Sequence, residues 1–400
     1  MTAQRGSSPR TSTLWSSRPN RVLIDDEAIA SNTGIVQRLV GDDVLVFAAL
    51  KANAYGHGTV LAGEATLAGG ARGLTVGDLG AALQLREAGI DEPIVVYPGM
   101  RWDREALALA GALSLIVTVT HVEEAESIGF EAPAEIAVLL KLDVGHARLG
   151  ATVEDIGVLA ATVGSQRRLH LAGVVSHLYD GPEPSVSGMQ WQLDRASAAL
   201  DVLESVGALP EYRIVASTAP LLCYGELTWD KRFNVVDPGR LLLGLVNATV
   251  AARLGTRQAF VSLRSRLTQV KTVSPDPHVW PYPGRASMRI GTFPLGRGDG
   301  LAAIDAGNVL VRGASAPIVG RWIEHTTIDL TEIPEAYAGD DVDVLGGQGA
   351  QRIELGDALA AHPNLKPPDV LMSVGASVPR LSTRDANPPR ESRTAGPPRA

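Results

Sequence analysis

Short apolar runs alternate with segments of helical periodicity over roughly the first 250 residues. Runs typical of buried strands lie at 22–24, 44–50, 73–76, 93–99, 113–119, 135–143, 173–178, 213–217 and 233–239. Apolar residues at helical spacing lie between them, as at 26–40, 59–69 and 78–89. Strands that alternate with helices form βαβ units and a parallel sheet. About eight such units predict a closed (β/α)₈ barrel. An open doubly wound sheet is the alternative, although no GxGxxG follows the first strand to support a dinucleotide site.

The pattern changes after about Ala252. Apolar and polar residues then alternate, with turns rich in Gly, Pro and Asp between the runs, and this pattern predicts an antiparallel β domain. We therefore predict a barrel domain at 20–252, a range that can include residues of the second domain's first strand, and a β domain at 253–379. Residues 1–19 and 380–400 are rich in Ser, Arg and Pro, and we expect a disordered leader and a disordered tail.

Composition narrows the function classes. A chain of 400 residues with 45% hydrophobic and 20% charged residues can bury a core. The net charge of −8 argues against a nucleic-acid-binding surface. The single cysteine, Cys223, excludes an intrachain disulfide and fits a reducing compartment. No run reaches about 18 apolar residues, so we predict no membrane span. The first residues lack the apolar core of a secretory signal, and we expect a cytoplasmic protein with no metal site.

Lys51 follows the apolar run that begins at Val44 and precedes small, turn-prone residues. A lysine at the mouth of a buried strand can lose its charge by desolvation and attack a carbonyl as an amine nucleophile. The alternative is a surface lysine whose stem packs on the strand while its ammonium stays in water.

Further polar residues end other predicted strands. The carboxyl ends of barrel strands carry the active site, and Lys141, Asp143, His146 and Arg148 follow the apolar residues 136–140 within and just beyond the run at 135–143. This cluster therefore favours a site.

Two other strand ends are ambiguous when taken alone. His177 ends the run at 173–178, where a histidine can equally be a hydrogen-bonded core residue. Ser217 and Thr218 precede a predicted helix, where hydroxyl and backbone N–H groups suit an anion but also suit a plain helix cap.

The string VFAALKANAYGHG, residues 46–58, closely resembles the pyridoxal-phosphate lysine motif of the alanine racemase family, whose members are fold type III pyridoxal-phosphate enzymes. The resemblance implies that Lys51 forms the Schiff base with pyridoxal 5'-phosphate and that Tyr55 reaches its phosphate. In LKLDVGHARLG, residues 140–150, it implies that Arg148 hydrogen-bonds the phenolic oxygen of the cofactor. Lys141 stands where some members carry a carbamylated lysine. His146 replaces the usual methionine and brings a titratable group to the substrate side.

The same resemblance assigns roles to five more positions. His177 would pack against the pyridine ring. Ser217 and Thr218, which replace the usual Asn-Ser, would bind the phosphate together with the backbone of Gly239 and Arg240.

Asp237, in NVVDPGRLLLGL, departs from the family pattern. The family has an arginine there that contacts the pyridine nitrogen. Because an arginine does not give up its proton, it leaves that nitrogen unprotonated and the cofactor a weak electron sink. An aspartate would instead stabilise a protonated nitrogen and negative charge on the substrate carbon. The alternative is that Asp237 points elsewhere.

The second domain combines matches with mismatches. IGTFPLGRGDG and PIVGRWIEHTTIDL resemble family strings, and Ile323 stands for a methionine whose backbone meets the substrate carboxylate. The family's acid/base on the opposite face of the substrate is a tyrosine of the partner subunit. Tyr282 is the candidate for it, and His278 competes for the position. A phosphate-binding tyrosine of the family falls on Pro368.

Three functions remain open. The first is a homodimeric amino-acid racemase with active sites at the subunit interface, in which Lys51 and Tyr282 are the two bases and His177 and Asp237 complete the catalytic set. The second is a pyridoxal-phosphate lyase, aldolase, transaldolase or decarboxylase on the same scaffold, which Asp237 favours. The third is a non-catalytic pyridoxal-phosphate-binding protein.

Overall fold

The computed structural model describes residues 18–179, 185–229, 232–279, 281–300, 307–347, 351–357 and 365–386. They fall into two compact units. The sheet unit contains the described residues up to Asp25, including strand β1 (Arg21–Ile24), and those from Phe260 onwards. The barrel unit is Asp26–Ala259. Among the described residues no helix is both long enough and apolar enough to cross a membrane.

The barrel unit is built on a closed ring of parallel strands. Its strands are β2 (Leu45–Ala49), β3 (Gly73–Val76), β4 (Ile94–Val96), β5 (Ile116–Val119), β6 (Ile136–Lys141), β7 (Leu169–Val175), β8 (Tyr212–Ala216) and β9 (Val235–Val236). Pairing of Leu45 with Val235 and of Val46 with Val236 closes the ring between its first and last strands. The predicted (β/α)₈ barrel is therefore confirmed, and the doubly wound alternative is wrong.

Helices lie before, between and after the barrel strands. They are α1 (Asp26–Val40), α2 (Lys51–Tyr55), α3 (Thr59–Ala68), α4 (Leu79–Glu87), α5 (Arg104–Ala112), α6 (Val122–Glu131), α7 (Ile156–Ser165), α8 (Val186–Ser205), α9 (Thr218–Tyr224) and α10 (Ala248–Leu254). Several begin at a side chain that accepts a hydrogen bond from an otherwise unpaired N–H of the first turn. Asp78 accepts from Ala81 N at 2.8 Å and Asp103 from Ala106 N at 3.0 Å.

Apolar side chains fill the centre of the barrel. The buried cluster contains Phe47, Val95, Ile116, Leu139, Ala172, Val175, Ile214 and Val235. Phe47 contacts the ring of Tyr212, with 5.2 Å between the ring centroids. Gly73 on the neighbouring strand makes room for Phe47, because a Cβ there would lie 2.7 Å from the phenylalanine ring. The interior is a packed core, so a ligand has to bind at one end of it.

The sheet unit has strands in the order β11-β12-β15-β14-β13-β16-β10-β1-β17. Their ranges are β10 (Phe260–Arg266), β11 (Gln269–Val273), β12 (Met288–Phe293), β13 (Asn308–Val311), β14 (Ala314–Arg321), β15 (Thr326–Asp329), β16 (Asp341–Gly346) and β17 (Arg380–Ser382). Two helices follow late in the chain, α11 (Pro367–Ser373) and α12 (Thr383–Ala386). Neighbouring strands are antiparallel except β1 and β17, so the prediction of an antiparallel β domain is confirmed.

The run at 22–24 is not a barrel strand. It forms β1, which pairs with β10 and β17, so the barrel unit begins at Asp26 rather than at residue 20 and ends at Ala259 rather than at 252. Val22, Leu23 and Ile24 are all buried. A continuously buried run does not distinguish a central strand of a mixed sheet from a barrel strand.

The predicted tails also need correction. Residues 380–386, assigned to a disordered tail, form β17 and α12. Pairing with β1 orders this short polar strand, and its sequence carries no apolar run to predict it. Arg18, assigned to the leader, contacts Asp299 at 3.0 Å. The rest of the predicted leader, 1–17, and of the tail, 387–400, lies outside the described residues.

Candidate active site

A cavity of about 350 Å³ lies in the barrel unit at the carboxyl ends of its strands. Lys51 follows β2, His177 follows β7, Ser217 follows β8 and Asp237 follows β9. The cavity brings together the predicted residues Lys51, Tyr55, His146, His177, Ser217, Thr218, Asp237, Gly239 and Arg240. Residues spread over nearly 190 positions of sequence therefore share one site, as expected for a barrel, where every strand ends at the same rim.

An unusual backbone turn carries Lys51 and Tyr55 into this cavity. The four residues after Lys51, from Ala52 to Tyr55, all have φ between 51° and 55°, so α2 is a left-handed turn. This conformation costs an L-residue about 1–2 kcal/mol. The side chain of Asn53 supports the turn by accepting a hydrogen bond from Thr59 N at 2.9 Å. Left-handed non-glycine residues held by their surroundings concentrate at functional sites.

Burial sets the charge of Lys51. It lowers the pKa of the amine, the carboxylate of Asp237 opposes this shift, and the guanidinium of Arg148 adds to it. The Nζ atom lies 4.4 Å from the ring centroid of Tyr97. A lysine with a lowered pKa has more of the neutral amine, which is the nucleophilic form.

Asp237 lies at the floor of the cavity and is only 3% exposed. Tyr97 donates a hydrogen bond to its Oδ2 atom, whereas its Oδ1 atom is buried and has no hydrogen-bond partner among the described residues. Burial raises the pKa of Asp237 to about 6, although nearby Lys51 acts in the opposite direction. Burial, together with the charge of Asp237, raises the pKa of Tyr97. The phenol therefore keeps its proton and remains a donor.

The loop after β6 is folded around Asp143. Its carboxylate accepts hydrogen bonds from the backbone N–H groups of Gly145 at 2.9 Å, Ala147 at 3.2 Å and Arg148 at 3.2 Å. Partial burial acts to raise the pKa of Asp143, but these hydrogen bonds hold it below its usual value. Burial lowers the pKa of Lys141 to about 8 against the attraction of Asp237. Arg148 is exposed and acts on this lysine as a nearby cation.

Three aromatic rings line one wall. The centroid of His146 lies 5.6 Å from that of His177 and 5.5 Å from that of Tyr179, on which it stacks. Burial, with Lys51 and Lys141 as further causes, lowers the pKa of His177 to about 3, so this ring is neutral near pH 7. Burial also lowers the pKa of His146. A neutral stacked wall suits a flat ligand ring.

Another part of the cavity lining is rich in hydrogen-bonding groups. The hydroxyl of Thr218 accepts from Gly239 N at 3.2 Å and from Leu241 N at 3.3 Å. A Cβ on Gly239 would lie 2.7 Å from Ala49 O and 2.8 Å from the hydroxyl oxygen of Tyr55, so the backbone here approaches Tyr55 closely. Burial, helped by Asp237, raises the pKa of Tyr55 to about 12, and its hydroxyl remains a donor. Ser217 is the N-cap residue of α9 but makes no side-chain cap hydrogen bond to it, which is compatible with the predicted role in phosphate binding.

The remaining predicted residues belong to the sheet unit. Tyr282 is 8% exposed and packs with Met288 and Ile290. Ile323 is 66% exposed, and its carbonyl accepts a hydrogen bond from Gly298 N at 2.7 Å. His278 is exposed. The roles predicted for Tyr282 and Ile323 in the site of a neighbouring subunit stay predictions.

Two residues at the cavity, Tyr97 and Tyr179, were not predicted from the sequence. Tyr97 directly follows β4, so the rule that polar residues at strand ends mark the site would have found it had it been applied to the run at 93–99. Tyr179 lies two residues beyond His177 and lines the cavity. Its sequence position carried no independent signal.

A closed barrel with a half-buried lysine at a strand end, together with a largely antiparallel sheet unit, defines the architecture of fold type III pyridoxal-phosphate enzymes. Residues 24–247 match the alanine racemase N-terminal domain, and residues 260–382 match the alanine racemase C-terminal domain. The chain belongs to the alanine racemase family.

Individual relatives agree with this assignment. The alanine racemase of Geobacillus kaustophilus (strain HTA426) is 33% identical over 378 residues, which are 92% of this chain and 95% of the relative. The crystal structure of alanine racemase from E. faecalis is similar with a TM-score of 0.76 and 29% identity over 92% of this chain and 99% of that one. The alanine racemase from Bacillus anthracis with bound L-Ala-P gives a TM-score of 0.79 and 26% identity, over 92% and 96% of the two chains.

Proposed function

We propose that this chain is a pyridoxal-phosphate-dependent amino-acid racemase of the alanine racemase type that acts on a small amino acid such as alanine. The observation that carries the proposal is the half-buried Lys51 amine, whose pKa is lowered, in the cavity of a barrel that belongs to this family. As part of the proposal we place the enzyme in the cytoplasm, which the single cysteine supports.

The residues present fit pyridoxal 5'-phosphate. The orphaned Oδ1 atom of Asp237 offers an acceptor for a ring N–H, and the close approach of Gly239 to Tyr55 forms a cradle that a Cβ would fill. When bound, the cofactor supplies an aldehyde for Lys51 and an electron-withdrawing ring that stabilises negative charge on the substrate α-carbon. The Oδ1 acceptor of Asp237 matches the ring nitrogen of the cofactor, and the cradle at Gly239 matches its phosphate.

In this proposal, different groups of cavity residues bind different parts of the cofactor. Tyr55, Ser217, Thr218 and the backbone of Gly239 and Arg240 bind the phosphate, since hydroxyl and N–H donors beside a guanidinium suit a dianion. The neutral ring of His177 packs against the pyridine. Arg148 donates to the phenolic oxygen.

Proton transfer requires one base on each face of the substrate. Lys51, when neutral, takes or returns the proton at the α-carbon on one face. Tyr282 of the partner subunit serves the other face, which makes a homodimer with its active sites at the interface part of the proposal. Arg148, His146 and the backbone of Ile323 of the partner subunit hold the substrate carboxylate side.

Asp237 favours a second candidate function. A buried carboxylate at the ring nitrogen keeps negative charge on the substrate carbon for longer than an arginine does. Longer-lived charge permits aldol-type cleavage, transfer, elimination or loss of CO₂ in addition to return of the proton. A pyridoxal-phosphate lyase or transferase on the same scaffold is therefore the alternative.

One set of measurements separates these functions. The purified holoprotein is reduced with borohydride and mapped by mass spectrometry, and we expect the cofactor label on Lys51. The Lys51→Ala variant should lose the label. The control Lys271→Ala, at an exposed lysine of β11, should keep it. Incubation with L- and D-alanine or serine in deuterated water should then give α-deuterium and the enantiomer. Release of an aldehyde or CO₂ without the enantiomer would support the lyase, and a labelled protein without turnover would support the binding protein. A wild-type protein that takes no label would overturn the proposal.

A further inference from the structure

Tyr97 and Asp237 form a pair across the barrel mouth. Tyr97 follows β4 and Asp237 follows β9, and two strands, β2 and β3, lie between these in the ring. The Tyr97 ring extends beneath the Lys51 amine, and its hydroxyl donates to Oδ2 of Asp237. The pair therefore occupies the floor of the cavity directly under the proposed attachment point of the cofactor.

The two carboxylate oxygens of Asp237 have different environments. Oδ2 accepts the hydrogen bond from Tyr97, while Oδ1 is buried without a partner among the described residues. Other charged groups face this carboxylate, namely Lys51 and Lys141, but the Lys141 amine is directed at Val175 O, 3.5 Å away. A buried acceptor without a protein donor is open to a donor from a bound ligand.

We propose that Tyr97 is a positioning residue that fixes Asp237 by Oδ2, so that Oδ1 accepts the proton on the ring nitrogen of the bound cofactor. This inference rests on the proposed pyridoxal-phosphate binding and adds to it a residue to which the sequence analysis assigned no role. A carboxylate on a single rotatable bond can present either oxygen, and a fixed phenol removes that freedom.

The chemistry of the pair supports this role. A guanidinium has donors and no acceptor, so the Tyr97 phenol could not donate a hydrogen bond to an arginine at 237. The phenol can donate to an aspartate, and this hydrogen bond spreads the negative charge of the buried carboxylate and helps to keep it ionised. An ionised acceptor next to the ring nitrogen holds the proton on that nitrogen. Tyr97 and the departure at Asp237 are therefore matched to each other.

The test measures the ring nitrogen itself. Holoprotein is prepared with ¹⁵N-labelled pyridoxal phosphate as wild type, Tyr97→Phe, Asp237→Asn and the double variant. Tyr212→Phe is the matched control, since Tyr212 is a barrel tyrosine packed on Phe47. The ¹⁵N chemical shift separates protonated from unprotonated nitrogen, and borohydride labelling of each sample checks attachment independently.

We expect a protonated nitrogen in wild type and in Tyr212→Phe, and an unprotonated nitrogen in Asp237→Asn. Tyr97→Phe should lie between these values, because the carboxylate without its phenol takes part of the proton. The double variant should equal Asp237→Asn, since the phenol acts only through the carboxylate. A Tyr97→Phe signal identical to wild type, or an unprotonated wild-type nitrogen, would overturn the inference. Absence of label at Lys51 in wild type would instead overturn the proposed function.

Discussion

Gly239→Ala is a direct test of the phosphate cradle. The added Cβ would lie 2.7 Å from Ala49 O, 2.7 Å from Tyr55 Cε2 and 2.8 Å from Tyr55 Oη. Carbon atoms do not approach these groups so closely, so one of the neighbours has to move. Ala49 O is a backbone atom at the end of β2, and the N–H of the same residue donates a hydrogen bond to Pro238 O at 3.1 Å. The ring of Tyr55 is therefore the group that moves.

The cost should appear in cofactor binding more than in stability. Overpacking of this kind costs about 1–3 kcal/mol. In the apoprotein Tyr55 can move into the cavity, whereas a bound phosphate closes that route. The full cost then weakens cofactor binding, and we expect the Kd of pyridoxal phosphate to rise about 5- to 150-fold.

An absorbance titration of the apoprotein with pyridoxal phosphate measures this Kd. Gly77→Ala is the control, because Gly77 follows β3 at the same end of the barrel and a Cβ there meets nothing within 4 Å. Its affinity should match wild type. The reasoning is refuted if Gly239→Ala binds within about twofold of wild type. It is refuted equally if the apoprotein Tm falls by several degrees while the affinity is unchanged, since about 2–4 °C per kcal/mol is expected for a domain of this size.

Three further predictions concern ionisable groups. Burial raises the pKa of Asp237 from 3.8 to about 6, so its contribution to the free energy of unfolding of the apoprotein is fully present below pH 3.8 and is lost as the pH rises through 6. Relative to Asp237→Asn, wild type should lose about 3 kcal/mol over that range in urea titrations, and a pH-independent difference would contradict this. With a pKa of about 8, the Lys141 amine is neutral in roughly a tenth of molecules at pH 7 and can react with CO₂. ¹³C-bicarbonate should therefore give a carbamate NMR signal that Lys141→Gln removes and Lys271→Gln keeps. Tyr282→Phe should lower racemisation kcat about 10²- to 10⁴-fold if Tyr282 is the second base, whereas exposed Tyr337→Phe should not, and equal rates would exclude Tyr282.

The barrel and most of its cavity were predictable because they follow from local patterns. Each buried strand appears as an apolar run, and the polar residue that ends it has to lie at the common rim. Lys51 and His177 were found in this way, whereas Asp237 was singled out by the resemblance to the family. The left-handed turn after Lys51 was not, since alanine and tyrosine at positive φ carry no sequence signal.

What the sequence did not predict depends on pairing between distant segments. The hydrogen bond from Tyr97 to Asp237 joins residues 140 positions apart on strands that are not neighbours. The assignment of β1 to the sheet depends on partners near the other end of the chain. A periodicity describes which face of a segment is buried, and it does not describe what covers that face.

The position of β1 has a consequence for biosynthesis. Its partners begin at Phe260 and Arg380, so β1 leaves the ribosome long before either of them is made. The apolar residues Val22, Leu23 and Ile24 must remain without their strand partners, and without associating with other chains, while the whole of Asp26–Ala259 is translated and can fold. A chain that stops short of Arg380 would leave one edge of this strand uncovered, in a position where it can recruit another molecule.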